Sequence, residues 1–196
     1  MLDELEGWMP QLRLVTPKRH VDERGWFCET FRASDFAERG SATVFVQDNQ
    51  ALSHARGTLR GLHFQAPPRA QAKLVSCLRG SVFDAVVDLR KGSPSYGAWA
   101  GTVLSAANGR QLFVPLGFAH GYLTLEPDTE IFYKVSDLYA PDCEGGVRFD
   151  DAAIGIDWPL PASELILSSK DRELPSLRGF ESPFVYDGFP LQPLEM

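Results

Sequence analysis

Two histidines, a lysine, an arginine and a tyrosine fall inside stretches that otherwise read as β-strands. The stretch GTLRGLHFQAPPRAQAKLV, residues 57–75, alternates as a strand does, yet sets Arg60, His63, Gln65, Gln71 and Lys73 among its apolar residues. Farther along, VPLGFAHGYLTL carries His120, and EIFYKVSDLYAPDCEGGVRF adds Tyr133, Lys134, Tyr139 and Glu144. Imidazole exchanges protons near neutral pH, and ammonium and guanidinium groups hold anions. An inward lysine beside an inward histidine is costly to desolvate unless the interior is a wet, functional cavity. The plainer alternative is that these residues form the solvated face of an antiparallel sheet. A lone histidine or tyrosine in a strand is usually a satisfied core residue. Several such groups on separate strands point instead to a shared cavity.

The elements that must position them are mostly strands. Candidates are 42–50, 71–80, 81–90, 96–105, 111–125 and 130–139, each bounded by Gly, Pro, Asn or Asp. LRGS reads as a tight hairpin turn between two of them. Short helical signals are confined to DFAER, with Ser34 as cap and Gly40 as stop, and to DDAAIGID and PASELILSSKD. In TLRGLHFQ, strict alternation puts Leu59, Gly61, His63 and Gln65 on one face and Arg60, Leu62 and Phe64 on the other. Arg60 and His63 reach one cavity only if Gly61 admits a bulge. In the next strand Gln71, Lys73, Val75, Cys77 and Arg79 share a face. The pattern predicts an all-β sandwich or barrel with minor helices, one domain over residues 1–196. The Pro- and aromatic-rich tail, 179–196, would lie on the surface or cover a partner subunit.

Composition limits the partners. The chain has 196 residues, 44% of them hydrophobic, and a net charge of −7. That charge disfavours nucleic acid and acidic membranes, and any anionic small molecule must meet a compact local cluster of cations. No apolar run approaches the roughly 18 residues of a spanning helix, and the acidic start MLDELEGWMP does not read as a signal peptide. Cys28, Cys77 and Cys143 lie far apart, with no CxxC, which suits a reducing, cytoplasmic compartment.

PLGFAH, residues 115–120, resembles the second cupin motif, P-x-G-x-x-H, and GTLRGLHFQ resembles the start of the first. The second histidine of the H-x-H pair is Gln65 here, no acidic ligand follows at the expected spacing, and Thr124 stands four residues after His120. A catalytic divalent site wants about three protein ligands, so the pattern reads as a cupin jelly roll without its metal.

DERGWFCETF, QDN, LRGLHFQ, QAKLV, VPLGFAHGY, IFYK, YAPDCEGGVRFDD and LSSKDRELP run in order from about residue 15 to 177. In these stretches the chain resembles the dTDP-4-dehydrorhamnose 3,5-epimerase family, metal-free cupins of deoxysugar biosynthesis. The resemblance implies a jelly-roll homodimer acting on dTDP-4-dehydro-6-deoxy-D-glucose, with no metal and no organic cofactor. It also implies that His63 is the base, Asp171 its partner, Tyr133 the proton donor, and Lys73 the cation facing the ketone oxygen. Arg24, Glu29, Gln47, Asn49, Arg60, His120, Glu144 and Lys170 would line the nucleotide-sugar site, with Tyr139 stacked on thymine.

That chemistry suits these residue types. A ketone at sugar carbon 4 acidifies the hydrogens on carbons 3 and 5, and inversion needs a base on one face and an acid on the other. Histidine titrates near working pH, whereas a phenol stays protonated until used. Losing a cation aimed at the enolate oxygen typically costs about 10²–10³ in rate. Alternatives from the sequence are a 3-epimerase of another deoxysugar pathway, a metal-dependent cupin oxygenase or isomerase, and a non-catalytic sugar-nucleotide binder.

Overall fold

The computed structural model describes residues 12–38, 43–186 and 188. Two five-stranded antiparallel sheets face one another. The first runs in space β1 (Arg13–Val15), β9 (Gln111–Val114), β6 (Lys73–Arg79), β11 (Thr129–Val135), β4 (Gln47–Ser53). The second runs β12 (Glu144–Gly146), β5 (Leu59–Gln65), β10 (Phe118–Thr124), β7 (Ser81–Asp88), β8 (Trp99–Ser105). β2 (Arg19–Asp22) and β3 (Gly25–Cys28) form a separate hairpin. From β4 to β11 the chain changes sheet at every connection except β7 to β8, which is the jelly-roll arrangement expected from the sequence.

Several boundaries differ from that expectation. LRGS is no hairpin: β6 and β7 belong to different sheets, and Gly80, at φ +72°, turns the chain from one to the other. The run 111–125 splits into β9 and β10, because Gly117 breaks it at φ +90°. The strand sought at 42–50 begins only at Gln47 and continues through Ser53. α1 covers Ala33–Glu38, so Ser34 lies inside its first turn rather than at its cap, and Gly40 falls outside the described residues. PASELILSSKD yields a 3₁₀ turn at Ala162–Glu164 and the short helix α2, Ser169–Arg172. DDAAIGID forms turns and no helix.

Burial explains the layers. Val75, Cys77, Val82, Val86, Leu104, Leu112, Phe118 and Ile131 interdigitate between the sheets, each apolar side chain contributing about 1.5–3 kcal/mol on burial. α1 seals the outer face of the first sheet through Phe36, which packs with Phe113 and Leu74. The outer face of the second sheet is covered by the chain that follows β12, where Phe180 and Phe184 stack edge-on against Phe64. The start of the tail therefore packs on its own subunit; residues 187 and 189–196 lie outside the described residues.

One irregularity decides where the polar residues point. Along the β5–β10 ladder His63 pairs with His120, but Arg60 pairs with Tyr122, so β5 carries one extra residue at that place. The bulge restarts the alternation. Leu59 packs outward against Leu123 and Leu160, and Leu62 and Phe64 pack outward against Ala119 and Val147. Arg60 and His63 both turn inward. Gly61 makes this possible at φ +118°, where a β-carbon would lie 2.7 Å from the Gly121 α-carbon and the His120 carbonyl oxygen. Gly61→Ala should cost about 3 kcal/mol in denaturant unfolding, since it combines a disfavoured φ with a backbone clash. Gly92→Ala, at φ +84° with nothing within 4 Å, should cost only about 1 kcal/mol.

Candidate active site

His63 stands on β5 with its Nε2 2.6 Å from Asp171 Oδ1. α2 supplies that carboxylate and also fixes it. Its cap residue Ser168 accepts from the Asp171 backbone N–H at 3.1 Å and donates its hydroxyl to Asp171 Oδ2 at 2.8 Å. Burial opposes the Asp171 charge, but the bonds from His63 and Ser168 outweigh it and hold the carboxyl below its ordinary pKa. With Asp171 accepting at Nε2, Nδ1 is left as the basic nitrogen of the ring.

Lys73 enters from the first sheet. It is 9% exposed, and its Nζ donates to the His63 carbonyl at 3.3 Å. Burial pulls its pKa down to about 8, against the attraction of Asp84 and Glu144. His120, opposite His63 in register, holds Nε2 at 2.9 and 3.0 Å from the two oxygens of Asp84. Burial lowers the His120 pKa despite that carboxylate. Tyr133, half-buried on β11, has its pKa raised by burial and lowered in part by Arg60. Tyr122 lies deeper, and its phenol is pushed up to about 12 by burial. Arg60 makes a long 3.5 Å contact with Ser53 Oγ.

The mouth is built from loops. Lys170 Nζ lies 2.5 Å from Glu144 Oε2, and the Tyr139 hydroxyl donates to the same oxygen at 2.9 Å. Burial works against the Glu144 charge, but Lys170 and Tyr139 together keep its carboxyl below the usual range. Gln47 donates to Asn49 Oδ1 at 2.8 Å and accepts from the Tyr139 backbone N–H at 3.1 Å. Tyr139 itself is 57% exposed.

His63, Asp171, Lys73, Tyr133, Arg60, His120, Gln47, Asn49, Tyr139, Glu144 and Lys170 are thus gathered at one interior and its rim. Arg24 and Glu29 are not. Arg24 bonds Asp22 across the β2–β3 turn, and Glu29 bonds Arg32. Their hairpin lies over the outer face of the first sheet, where Trp26 and Cys28 help line a cavity of about 300 Å³ with Leu74, Ser76, Phe132 and Lys134. That cavity is separate from the His63 cluster.

Two polar residues of the 57–75 stretch have a different task. Buried Gln65 donates to the Arg69 and Leu138 carbonyls and accepts from the Ala140 N–H, while Gln71 donates to the Asp137 carbonyl. They pin the loop that carries Tyr139. Sequence reasoning passed over Asp84, Ser168, Ser53 and Tyr122. The only signal for Asp84 was an acid set between apolar residues in SVFDAVVDLR, where Asp88 is a second.

Among the described residues no three His, Cys, Asp or Glu side chains are grouped to hold a metal, and each histidine of the cluster already gives Nε2 to a carboxylate. Fold and site together define a cupin-type enzyme equipped for proton transfer beside a developing anion. The family model for dTDP-4-dehydrorhamnose 3,5-epimerase matches residues 7–179. A Sinorhizobium fredii dTDP-4-dehydrorhamnose 3,5-epimerase is 48% identical over 176 residues, 90% of each chain. Among solved structures, the Legionella pneumophila dTDP-6-deoxy-D-glucose-3,5-epimerase in complex with dTDP-4-keto-L-rhamnose superposes with TM-score 0.85 at 42% identity, covering 90% of this chain and 94% of that one. A 3′-monoepimerase from Streptomyces bikiniensis in complex with dTDP-quinovose gives 0.78 at 37%, covering 85% and 84%. The chain belongs to the dTDP-4-dehydrorhamnose 3,5-epimerase family, whose members are sugar-nucleotide isomerases.

In ¹³C NMR of the free protein, the Lys73 ε-carbon should titrate with a midpoint near 8, about two units below exposed lysines. A midpoint above 10 would contradict the desolvated setting.

Proposed function

We propose that this protein converts dTDP-4-dehydro-6-deoxy-D-glucose to dTDP-4-dehydro-L-rhamnose by inverting carbons 3 and 5. The observation that carries this reading is that base and acid stand on facing walls: His63 on the second sheet and Tyr133 on the first. A sugar ring between them meets a proton acceptor on one side and a donor on the other. His63 Nδ1 removes the proton from carbon 3 or 5, and the electron pair of that C–H bond moves to the carbon 4 oxygen. The Lys73 ammonium stabilises the enolate. Tyr133 then returns a proton to the opposite face, and solvent restores both side chains. Asp171 steadies the imidazolium formed in the first step.

Arg60 and Lys170 would hold the diphosphate, His120 and Glu144 the sugar, Gln47 and Asn49 the nucleoside, and Tyr139 would stack on thymine. Arg24 and Glu29 fit this site only if a second copy presents them. The β2–β3 hairpin exposes Val21 at 77% and Phe27 at 72%, an apolar strip suited to a partner. We therefore infer a homodimer in which each hairpin reaches its neighbour's mouth. The free thiols of Cys28, Cys77 and Cys143 accord with a cytoplasmic setting, and among the described residues no helix is long and apolar enough to cross a membrane.

Proton exchange by NMR in heavy water tests the reaction. Deuterium should enter at both carbon 3 and carbon 5. Entry at carbon 3 alone would make this a 3-epimerase, as its likeness to the monoepimerase allows, and no entry would overturn the proposal. His63→Ala should lower turnover at least about 10³-fold while dTDP binding stays near wild type. Tyr133→Phe should permit exchange yet cut epimer formation about 10²-fold or more. Mixing Arg24→Ala with His63→Ala subunits should restore activity through hybrid dimers that contain one intact site. If Arg24 served its own subunit, that mixture would stay inactive.

A further inference from the structure

We propose that Asp84 is the buried positioning residue of this site, fixing the His120 ring and serving as counter-ion to the Lys73 ammonium. Asp84 lies on β7 between Val82 and Val86, faces the interior, and has no solvent exposure. Its only hydrogen-bond partner among the described residues is His120 Nε2, which both carboxylate oxygens approach.

The contrast with Asp88, four residues on and equally buried, is informative. Asp88 accepts from the Arg90 backbone and guanidinium and from the Ser93 and Ser95 hydroxyls. That carboxylate is saturated and carries its own cation. Asp84 has no such shell, and an unbalanced buried carboxylate is untenable. His120 does not supply the balancing charge, since burial favours its neutral form. Arg60 is exposed, so Lys73 is the buried cation left, and among the described residues it too has no carboxylate within hydrogen-bond distance, only the His63 carbonyl.

The groups around Lys73 come from several strands. Asp84 comes from β7, His120 from β10, His63 from β5 and Glu144 from β12. β9 and β11 set Val114 and Val135 beside it in register, and β11 adds Tyr133 two residues away. Glu144 is already engaged by Lys170 and Tyr139. Asp84 is therefore what keeps Lys73 charged inside the sandwich. By accepting from Nε2–H it also leaves His120 Nδ1 as an acceptor for a sugar hydroxyl.

The kinetic side of this inference rests on the epimerase reading; the electrostatic side does not. Asp84→Asn keeps the shape and removes the charge. In the free protein it should move the Lys73 ε-carbon titration at least one pH unit below its wild-type midpoint. In turnover, the alkaline limb of kcat should move down by the same amount, about a tenfold loss at pH 8.5 for one unit. An unmoved midpoint, or activity scaled equally at every pH, would overturn the proposal in favour of a merely structural role. If Asp84→Asn alone fails to fold, the double variant Lys73→Met with Asp84→Asn decides. Recovery of a cooperative melt when both charges are removed supports the pairing, and failure of the double variant as well overturns it. A wild-type protein without turnover would refute the epimerase reading and leave the NMR test standing.

Discussion

Charge placed between two sheets is the constraint on which the rest of this structure depends. An ammonium as little exposed as that of Lys73 sits among desolvated groups only if carboxylates surround it, and those carboxylates need neighbours in turn. The strands answer by contributing one group each: Lys73 from β6, Asp84 from β7, His63 from β5, His120 from β10 and Glu144 from β12. Asp171 arrives from outside the sheets, set by the Ser168 cap. The apolar part of the same interior, around Val75, Val86 and Ile131, provides the burial that offsets this expense. Reactive geometry and fold stability are thus drawn from one packed layer.

The bulge at Gly61 gives that layer its second cation. Without the extra residue, Arg60 would point to the outer face with Leu62 and Phe64, where hydrophobic packing seals the second sheet. With it, one seven-residue strand places both a base and a guanidinium inward while keeping its outer face apolar. Gly121 completes the arrangement from the neighbouring strand, since a side chain there would also meet the Arg60 carbonyl. Two facing glycines let the backbones approach closely enough for the ladder to resume.

Much of this was legible in the sequence. Alternation identified the strands, and the polar interruptions identified the strands that matter. The need for Gly61 to break the alternation followed from Arg60 and His63 being an odd number of residues apart. What was not legible had definite causes. Gly80 has the same backbone freedom whether it closes a hairpin or carries the chain across to another sheet, so LRGS gave no hint of its partner strand. Pro115 to Gly117 lie inside an apolar run, and only a left-handed φ divides it into two strands. Asp84 was passed over because a single sequence does not record which face of β7 is inward. Gln65 and Gln71 raised the opposite difficulty: they resemble ligands for a substrate and instead tie down a loop. Arg24 and Glu29 sit on and just after a hairpin over the outer face of the first sheet, bonded to Asp22 and Arg32, and a linear pattern does not record that distance from His63.

The Asp171 carboxylate has a consequence in time as well as in space. It lies after β12, the last strand of either sheet, so every strand of the sandwich has left the ribosome before this residue does. Until Asp171 follows, the His63 imidazole has no carboxylate at Nε2. The Phe180 and Phe184 cover over Phe64 arrives later still, so the tautomer of His63 and the outer seal of its strand both wait on residues that follow β12.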